Sequence, residues 1–511
     1  MNVTKLPWKK IGIALGLTVF AILILFFDPV PDRPEVGKMA AIAALMAVLW
    51  ITEAIPLAAT ALMPIILLPL MGILPGAEAA KSYVSSIVFL FIGGFLIALS
   101  MQRWNLHRRI ALTIIFLIGK RADFIVFGFM VASGFLSMWI SNTATAVMML
   151  PIGLAIISKI EEEFGKGESR KLTLALMLGI AYGCSIGGVA TLVGTPTNLA
   201  FVRIFQETFP EAPPIAFGQW LIIGLPYSAT LLVITWFMLT KVLCRFDKDM
   251  VLDREVISRE LRQLGRMSYE EKVVLVVFLA TVVLWTFRKD LVLGAITIPG
   301  WSGLNPSFRF LDDGTIAIAT SMLLFFIPSK NGDKPGRLLH GDIFAKIPWD
   351  IILLFGGGFA LAAGFGASGL SQYIGEAFAS LGRVETIFLL ISICLCVTFL
   401  TELTSNVATL SMLLPILGSW AVSIGIHPLL FAVPATISAS MAFMMPVATP
   451  PNAVVFGSHR IRIIDMARTG FLLNLIAIMF TLIAVYLLFP ALTGSAIGDF
   501  PDWAKLPASG E

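Results

Sequence analysis

The sequence predicts an all-α polytopic membrane protein built around an internal repeat, and three observations support this fold class. The chain has 511 residues, of which 58% are hydrophobic and only 13% are charged, so it is not an ordinary soluble domain. Apolar runs long enough to span a bilayer recur from 11–27 to 471–492, and we count about eleven crossings of roughly 20 residues each. Polar motifs interrupt some of these runs, and each motif occurs twice.

The first apolar run is expected to be a retained helix and not a signal peptide, because no small-residue cleavage site follows it. Lys5, Lys9 and Lys10 precede this run, and the longest polar segment, 244–272, carries seven Lys or Arg residues. The positive-inside rule places both in the cytoplasm. The tail after Ala491 has one lysine and three acidic residues, which places it outside.

We therefore expect a multi-pass protein of the plasma membrane, in bacteria the inner membrane, with a cytoplasmic N-terminus and an external C-terminus. The bilayer is its surroundings and we expect no nucleic-acid partner, because the basic residues lie between apolar runs and form no patch interleaved with aromatic residues.

Three motifs occur in the same order in the two halves of the chain, which indicates a duplicated unit. The first two pairs are offset by 264 residues and the third by 254, as a small insertion or deletion would produce. The pairs are "FIGGFLIAL" (91–99) with "FGGGFALAA" (355–363), "SNTATAVMMLPI" (141–152) with "SNVATLSMLLPI" (405–416), and "VGTPTNLAFV" (193–202) with "VATPPNAVVF" (447–456). We call the second pair the SN segments and the third pair the TP segments.

The charges that follow the glycine-rich segments predict that the two units are inverted. The first runs into a stretch with Arg103, Arg108 and Arg109, whereas the second runs into "GFGASGLSQYIGE", which has no Lys or Arg. The positive-inside rule then places the first tip in the cytoplasm and the second outside. An inverted repeat with two re-entrant helical hairpins and two broken helices is typical of secondary transporters. Close helix packing is an equally good explanation for either glycine cluster alone.

The SN and TP segments carry side chains suited to ion binding. Asn and Ser compete with the backbone for hydrogen bonds and so favour a helix break, and an exposed break is too costly in hydrocarbon unless a filled cavity or protein supplies partners. Oxygen ligands alone suit Na⁺, and an anion could lie between the two breaks. None of these segments contains Lys or Arg, so anion binding would depend on the cations. A single SN segment would also fit a polar contact between helices.

Two acidic residues lie within apolar surroundings, Glu53 in "ITEAIPL" and Glu402 in "TELTSN". Intramembrane acids are costly and often functional. Because each lies near a predicted helix boundary, we favour capping or inter-helix hydrogen bonding as their role.

The motifs "SNTATAVMMLPI", "TELTSNVATLSMLLPI", "GTPTN", "ATPPN" and "TEAIPL" resemble those of the divalent anion/sodium symporter family, the INDY-type di- and tricarboxylate carriers. The resemblance covers nearly the whole chain. It implies a homodimer in which each protomer has a scaffold domain and a transport domain that moves in an elevator-type alternation.

The same resemblance implies a set of site residues at the matching positions. The first sodium site would comprise Ser137, Ser141, Asn142 and Gly194, and the second Thr401, Thr404, Asn406 and Ala448. The substrate would be held by Asn142, Thr143, Ser405 and Asn406, with Thr195, Pro196, Thr449 and Pro450 nearby. The sequence departs from a paired SNT motif at Val407, which removes one hydroxyl donor and leaves the preferred diacid open.

Scaffold and transport units can be assigned along the chain on this basis. The assignment is N-terminal scaffold helices in 1–84, the first transport unit in 85–202, central scaffold helices and the basic loop in 203–349, the second transport unit in 350–457, and the last helix with the external tail in 458–511.

The expected function is sodium-coupled import of C4-dicarboxylates such as succinate, malate and fumarate. The alternatives on the same fold are a dicarboxylate exchanger and a carrier of citrate or sulfate. An intramembrane hydrolase would need a nucleophile with a base, and the sequence has no HExxH, no GxSxG and no His near a motif serine. A channel would not explain two cation sites flanking one anion site.

Overall fold

The structure, a computed structural model, describes residues 7–119, 121–244, 255–293, 296–331, 336–379, 384–493 and 496–504. Within these ranges the regular elements are helices and one antiparallel pair of short strands, β1 (Leu291–Leu293) and β2 (Ile296–Ile298), together with an isolated antiparallel bridge between Pro328 and Arg337. The predicted all-helical class is confirmed, and the strand pair is a small addition that the sequence did not indicate.

The α-helices differ widely in length, from five residues in α3 to 47 in α9. Helix α9 contains a bend at Gly165, whose φ of 79° is not helical. The helices are α1 Pro7–Phe26, α2 Glu35–Thr52, α3 Leu57–Ala61, α4 Met63–Leu70, α5 Gly76–Lys81, α6 Ser86–Arg103, α7 Leu106–Ile118, α8 Ala122–Ser137, α9 Asn142–Gly188, α10 Pro196–Thr208, α11 Phe217–Phe237, α12 Glu255–Gln263, α13 Tyr269–Thr286, α14 Asp313–Phe326, α15 Trp349–Ser368, α16 Leu370–Ala379, α17 Thr386–Thr401, α18 Asn406–Ser423, α19 Leu429–Ser440, α20 Pro450–Phe456 and α21 Ile463–Thr493.

The short helical segments of other types lie between these α-helices and near the C-terminus. They are a π-helix at Met238–Leu243 and 3₁₀ helices at Trp301–Gly303, Pro306–Phe310, Gly341–Lys346 and Asp502–Ala504.

Nine helical stretches of the described residues are long and apolar enough to cross a membrane, from Trp8–Phe26 to Ile463–Pro490. Five shorter apolar helices accompany them, including Ala122–Ser137 and Thr386–Thr401. These stretches agree with the predicted membrane class. The count of about eleven crossings stays a prediction, because length alone does not decide whether a short helix spans a bilayer.

The two halves repeat the same order of elements. Two paired helices, α6–α7 and α15–α16, are each followed by a 16-residue helix that ends just before an SN segment, α8 in the first half and α17 in the second. The turn between the paired helices contains a left-handed residue in each case, Asn105 in the first half and Gly369 in the second.

The glycine-rich segments lie inside α6 and α15, where they allow close helix packing. A Cβ on Gly93 would come within 2.5 Å of the Ala317 carbonyl carbon in α14, and one on Gly357 within 2.5 Å of the Ala61 carbonyl oxygen in α3. Packing through small residues, the alternative that the sequence left open, is therefore what these glycines do.

The basic residues after the first paired helices contact the long polar segment. Arg109 bonds Glu271 through its Nε at 2.8 Å, and Arg108 pairs with Glu260 in α12. The first turn and residues 255–272 therefore lie at the same end of the molecule. Lys5 and residues 245–254, which also entered the charge argument, lie outside the described residues.

Candidate functional site

The first helix break separates α8, which ends at Ser137, from α9, which begins at Asn142. Ser141 is the N-cap of α9, and its hydroxyl accepts a hydrogen bond from the Ala144 amide at 3.2 Å. Such a cap satisfies one of the amides that a helix start leaves unpaired. Across the break, the Ser137 hydroxyl donates to the side-chain oxygen of Asn142.

The second helix break repeats this arrangement between α17 and α18. Ser405 is the N-cap residue of α18, which begins at Asn406. The Thr401 hydroxyl lies 2.7 Å from Oδ1 of Asn406 and 3.0 Å from the Ala439 carbonyl oxygen. In both halves, a hydroxyl five residues before the asparagine therefore holds the asparagine side-chain oxygen.

The TP segments begin helices in the same way in the two halves. Thr195 and Thr449 are N-cap residues in extended conformation, with φ of −135° and −138°. Pro196 and Pro450 occupy the first helical position, where the missing amide hydrogen costs nothing. The loop before each proline lies outside the helices and makes only isolated turns, such as the hydrogen bond from the Gly194 amide to the Thr191 carbonyl and that from the Ala448 amide to the Met445 carbonyl.

A buried asparagine closes each of these loops. Asn198 donates its amide group to the carbonyls of Val189 and Thr191, at 3.1 and 2.8 Å. Asn452 donates to the carbonyls of Ala442 and Met445, both at 3.1 Å. Both asparagines have no exposed surface. These bonds hold each loop in a fixed curve beside its SN segment.

In the first half, Thr191 links the loop to the helix break. Its hydroxyl donates to the Met138 carbonyl at 2.5 Å and accepts from the Gly194 amide at 3.0 Å. A free carbonyl released by the break is thereby paired, as an apolar environment requires.

In the second half, Glu402 links the helix break to the loop before the TP segment. Its carboxylate accepts hydrogen bonds from the amides of Phe443, Met444 and Met445 at 2.8 to 3.0 Å, and from the Asn474 side chain at 2.7 Å. With 3% of its surface exposed, it lies inside the protein. The favoured role of inter-helix hydrogen bonding matches these contacts.

Four oxygen atoms come together around two glycines of the first half. A Cβ on Gly188 would lie 2.7 Å from Oδ1 of Asn142 and 3.2 Å from the Gly194 carbonyl oxygen. A Cβ on Gly194 would overlap the Gly188 carbonyl oxygen and lie 3.0 Å from that of Ser137. Only hydrogen atoms at these positions leave the oxygens free to surround a small ion. Hard cations prefer such oxygen ligands.

The second half is less tightly built at the matching positions. Residues 442 and 448, which correspond to the two glycines at the TP offset, are both alanine. Thr404, expected as a ligand, directs its hydroxyl to the Leu400 carbonyl at 2.8 Å, and this hydroxyl lies 2.6 Å from that of Thr409. The two breaks therefore share a plan but differ in detail.

Residues of both halves line one cavity of about 730 Å³. It is lined by all eight residues expected to hold the substrate and by six of the eight expected sodium ligands, two of which, Asn142 and Asn406, belong to both sets. These lining residues are Asn142, Thr143, Thr195, Pro196, Ser405, Asn406, Thr449 and Pro450, with Ser141, Gly194, Thr404 and Ala448. Val407 also lines the cavity, at the position that matches Thr143.

Two expected ligands lie behind the cavity wall. Ser137 and Thr401 have no exposed surface and do not line the cavity. Each reaches it through the asparagine that it holds, Asn142 or Asn406.

Charged residues at the cavity were not all anticipated by the sequence. Among the described residues that line the cavity, Glu53 and Asp350 are charged and none is Lys or Arg. Glu53 is exposed and is the C-cap residue of α2, with a left-handed backbone. Of the two roles expected for it, capping or inter-helix hydrogen bonding, it occupies a capping position, and an inter-helix hydrogen bond of its side chain is not seen among the described residues. A neighbouring cavity of about 320 Å³ shares Ser141 and Thr143 and is lined by Lys346.

The comparisons with known proteins agree with this architecture. The family model described as the sodium:sulfate symporter transmembrane region matches residues 9–494. Two curated relatives are the "Sodium-dependent dicarboxylate transporter SdcS" of Staphylococcus aureus strains MRSA252 and NCTC 8325 / PS 47. Each is 44% identical over 497 residues, which cover 96% of this chain and 93% of the relative.

Two solved structures share the fold at 13% sequence identity. The YdaH transporter of Alcanivorax borkumensis matches with a TM-score of 0.53 over 79% of this chain and 85% of that one. MtrF of Neisseria gonorrhoeae matches with a TM-score of 0.54 over 94% and 95%. The fold is thus that of known membrane transporters, and the chain belongs to the sodium:sulfate symporter family.

Proposed function

We propose that the chain is a secondary active transporter that carries C4-dicarboxylates into the cell together with sodium ions. The observation that carries this proposal is the pair of matched helix breaks, whose neutral oxygen and amide groups from both halves line one cavity that has no Lys or Arg among its described lining residues. The 44% identity to relatives named as sodium-dependent dicarboxylate transporters and the sodium:sulfate family model support the same conclusion. A family of transporters also argues against an enzyme.

Sodium would bind at each break through oxygens. The first site comprises Ser137, Ser141, Asn142 and Gly194, and the second comprises Thr401, Thr404, Asn406 and Ala448. A hydroxyl has one hydrogen. When the Asn142 side-chain oxygen binds sodium, the Ser137 hydroxyl that now donates to it turns its hydrogen away and presents its lone pairs. Thr401 already has the Ala439 carbonyl as a second acceptor for that hydrogen.

The dicarboxylate would lie between the two cations, with its ends at the two SN segments. Asn142 and Asn406 each have an amide oxygen for sodium and an amide nitrogen for a carboxylate. Thr143 and Ser405 add hydroxyl donors, and Thr195, Pro196, Thr449 and Pro450 shape the walls. Sodium binding thereby orients the donors and supplies positive charge for the substrate carboxylates, because none of the described residues that line the cavity is basic.

The two units would be inverted in the membrane and would move together as an elevator in each protomer of a homodimer. The first turn contacts the long basic segment through Arg108 and Arg109, which supports a cytoplasmic position for both. The second turn, at Gly369, lies beside Arg33, in the loop that follows the first helix. With the N-terminus in the cytoplasm of the bacterial inner membrane, that loop is external.

Cysteine labelling tests this topology. After removal of the native cysteines, a cysteine at Asn105 is expected to react with a charged thiol reagent from the cytoplasmic side, and one at Ser371 from the outside. Sodium with succinate should change both rates, because a ligand that binds two states differently shifts their populations. Labelling of both positions from one side would contradict the inverted repeat, and rates unaffected by ligand would contradict the elevator.

Succinate uptake is expected to fall as the pH decreases through the second pKa of the substrate. The reason is that the donors proposed to hold the substrate are neutral and two bound sodium ions would balance the charge of a dianion better than that of a monoanion. Among the described lining residues the charged ones, Glu53 and Asp350, are acidic and offer no positive charge. Initial uptake rates at saturating sodium across a pH series would measure this. A sharp rise in acid would instead indicate a proton-coupled or monoanion-selective carrier, with Glu53 as the first residue to examine.

Counter-flow of labelled succinate in proteoliposomes tests the substrate class. We expect unlabelled malate and fumarate to compete strongly, and citrate and sulfate to compete weakly. Preferential competition by citrate or sulfate would reassign the substrate to one of the alternatives. Because Val407 lacks the hydroxyl of its counterpart Thr143, Val407→Thr should alter the ranking among diacids while leaving sodium dependence in place.

A further inference from the structure

One hydrogen bond joins the two halves of the chain at the cavity wall. The hydroxyl oxygens of Thr197, in the first TP segment, and Ser440, the last residue of α19, lie 2.6 Å apart. Both residues line the cavity and are nearly fully buried, with 1% and 3% of their surface exposed. Neither is among the proposed ligands of sodium or of the dicarboxylate. We call this contact the hydroxyl bridge.

On one side, the hydroxyl bridge leads to the first sodium site. The Thr197 hydroxyl lies 3.2 Å from that of Thr195. Thr195 follows Gly194, whose carbonyl oxygen belongs to the cluster around Gly188. A change in the position of the Thr197 hydroxyl would therefore reach the Gly194 carbonyl of the first site through Thr195.

On the other side, the hydroxyl bridge leads to the second sodium site. Ser440 shares a peptide bond with Ala439, whose carbonyl accepts the Thr401 hydroxyl at 3.0 Å. The same hydroxyl lies 2.7 Å from Oδ1 of Asn406. Because it has one hydrogen, it cannot donate fully to both acceptors at once.

We propose that the hydroxyl bridge couples the two sodium sites, so that sodium at one site favours binding at the other; the inference rests on the two sites proposed above. Sodium on Asn406 directs the Thr401 hydrogen to the Ala439 carbonyl and fixes the end of α19. Ser440 then holds Thr197, Thr195 and the Gly194 carbonyl in the geometry that binds the first ion. Chains of buried hydroxyl groups strengthen one another in this way. Thr197 and Ser440 are positioning residues, and coupling works equally in both directions.

The sodium dependence of succinate uptake in proteoliposomes tests this coupling. We expect Thr197→Val and Ser440→Ala each to raise the sodium concentration for half-maximal uptake by about fivefold, the low end of the usual range for coupled sites, and to make the activation curve less steep. Thr197→Ser keeps the hydroxyl and should retain the wild-type curve. The double variant Thr197→Val/Ser440→Ala should be no worse than either single variant, because the same bond is lost.

Thr436→Val is the matched control. Thr436 is also buried in α19, but its hydroxyl donates to Ala432 of the same helix at 2.7 Å and makes no link between the halves. This variant removes a hydroxyl of the same kind and should leave the steepness of sodium activation unchanged. Thermal unfolding in detergent identifies any variant that is merely unstable. If Thr197→Val is unstable, the sodium curve of Ser440→Ala, the smaller change, decides whether the hydroxyl bridge couples the sites.

The outcomes separate the hydroxyl bridge from the sites. Wild-type sodium curves in Thr197→Val and Ser440→Ala, with uptake lost in Asn142→Ala and Asn406→Ala, would overturn the bridge and leave the sites standing. Additive losses in the double variant would also overturn it. Wild-type sodium curves in Asn142→Ala and Asn406→Ala would remove both proposals together.

Discussion

Asn142→Ala and Asn406→Ala are each expected to reduce sodium-driven succinate uptake by at least about tenfold. Each removes the side-chain oxygen proposed to bind sodium and the amide donor proposed for a carboxylate. A hydrogen bond to a charged group contributes about 1.5–3 kcal/mol, and 1.4 kcal/mol corresponds to about tenfold. Asn142→Ala also removes the acceptor of the buried Ser137 hydroxyl. In Asn406→Ala the Thr401 hydroxyl loses the asparagine oxygen but keeps the Ala439 carbonyl as acceptor. Initial uptake rates over a sodium titration measure the effect.

Asn305→Ala is the control for these two variants, because Asn305 lies in an exposed segment and only caps a short 3₁₀ helix. It should transport as the wild type does. Normal uptake and normal sodium titration in both SN variants would refute two sites of this kind. A loss in only one variant would reduce the proposal to a single site.

Gly188→Ala and Gly194→Ala are expected to lower sodium-driven uptake as severely. A methyl group on Gly188 would lie 2.7 Å from Oδ1 of Asn142, and one on Gly194 would enter the space of the Gly188 carbonyl oxygen. Either methyl group therefore displaces oxygens proposed to bind the first ion. The sodium concentration for half-maximal uptake should rise in both variants. The apparent affinity for succinate, measured at saturating sodium, should change less.

Gly366→Ala provides the matched control for the glycine variants. Gly366 also lies in a helix, α15, but a Cβ there meets no atom within 4 Å. This variant should be functionally silent and slightly favoured by helix propensity. Normal sodium affinity in Gly188→Ala and Gly194→Ala would show that the oxygen cluster of the first half does not bind sodium.

The breaks could be predicted from the sequence because their signals are local. Ser, Asn and Pro within apolar runs disfavour a continuous helix whatever surrounds them, and a second copy at a matched offset makes chance unlikely. The structure places Ser141 and Ser405 at N-caps and Pro196 and Pro450 at first helical positions, as such residues prefer.

Other parts of the site depend on contacts between distant residues, which no local pattern encodes. The hydroxyl bridge joins residues 243 positions apart. The backbone amides that donate to Glu402 begin 41 residues further along the chain, and the Asn474 side chain that also donates to it lies 72 residues away. Gly188 was missed although a glycine pair, "GG" at 187–188, marks close packing; its nearness to Asn142 emerges only from the packed helices.

The most direct test of sodium-coupled dicarboxylate transport is accumulation of labelled succinate in proteoliposomes under an inward sodium gradient. We predict that succinate rises above its external concentration, and that accumulation disappears when potassium replaces sodium or a sodium ionophore dissipates the gradient. Equal accumulation in potassium, or uptake that requires only a dicarboxylate inside the vesicles, would contradict sodium coupling and identify the protein as an exchanger.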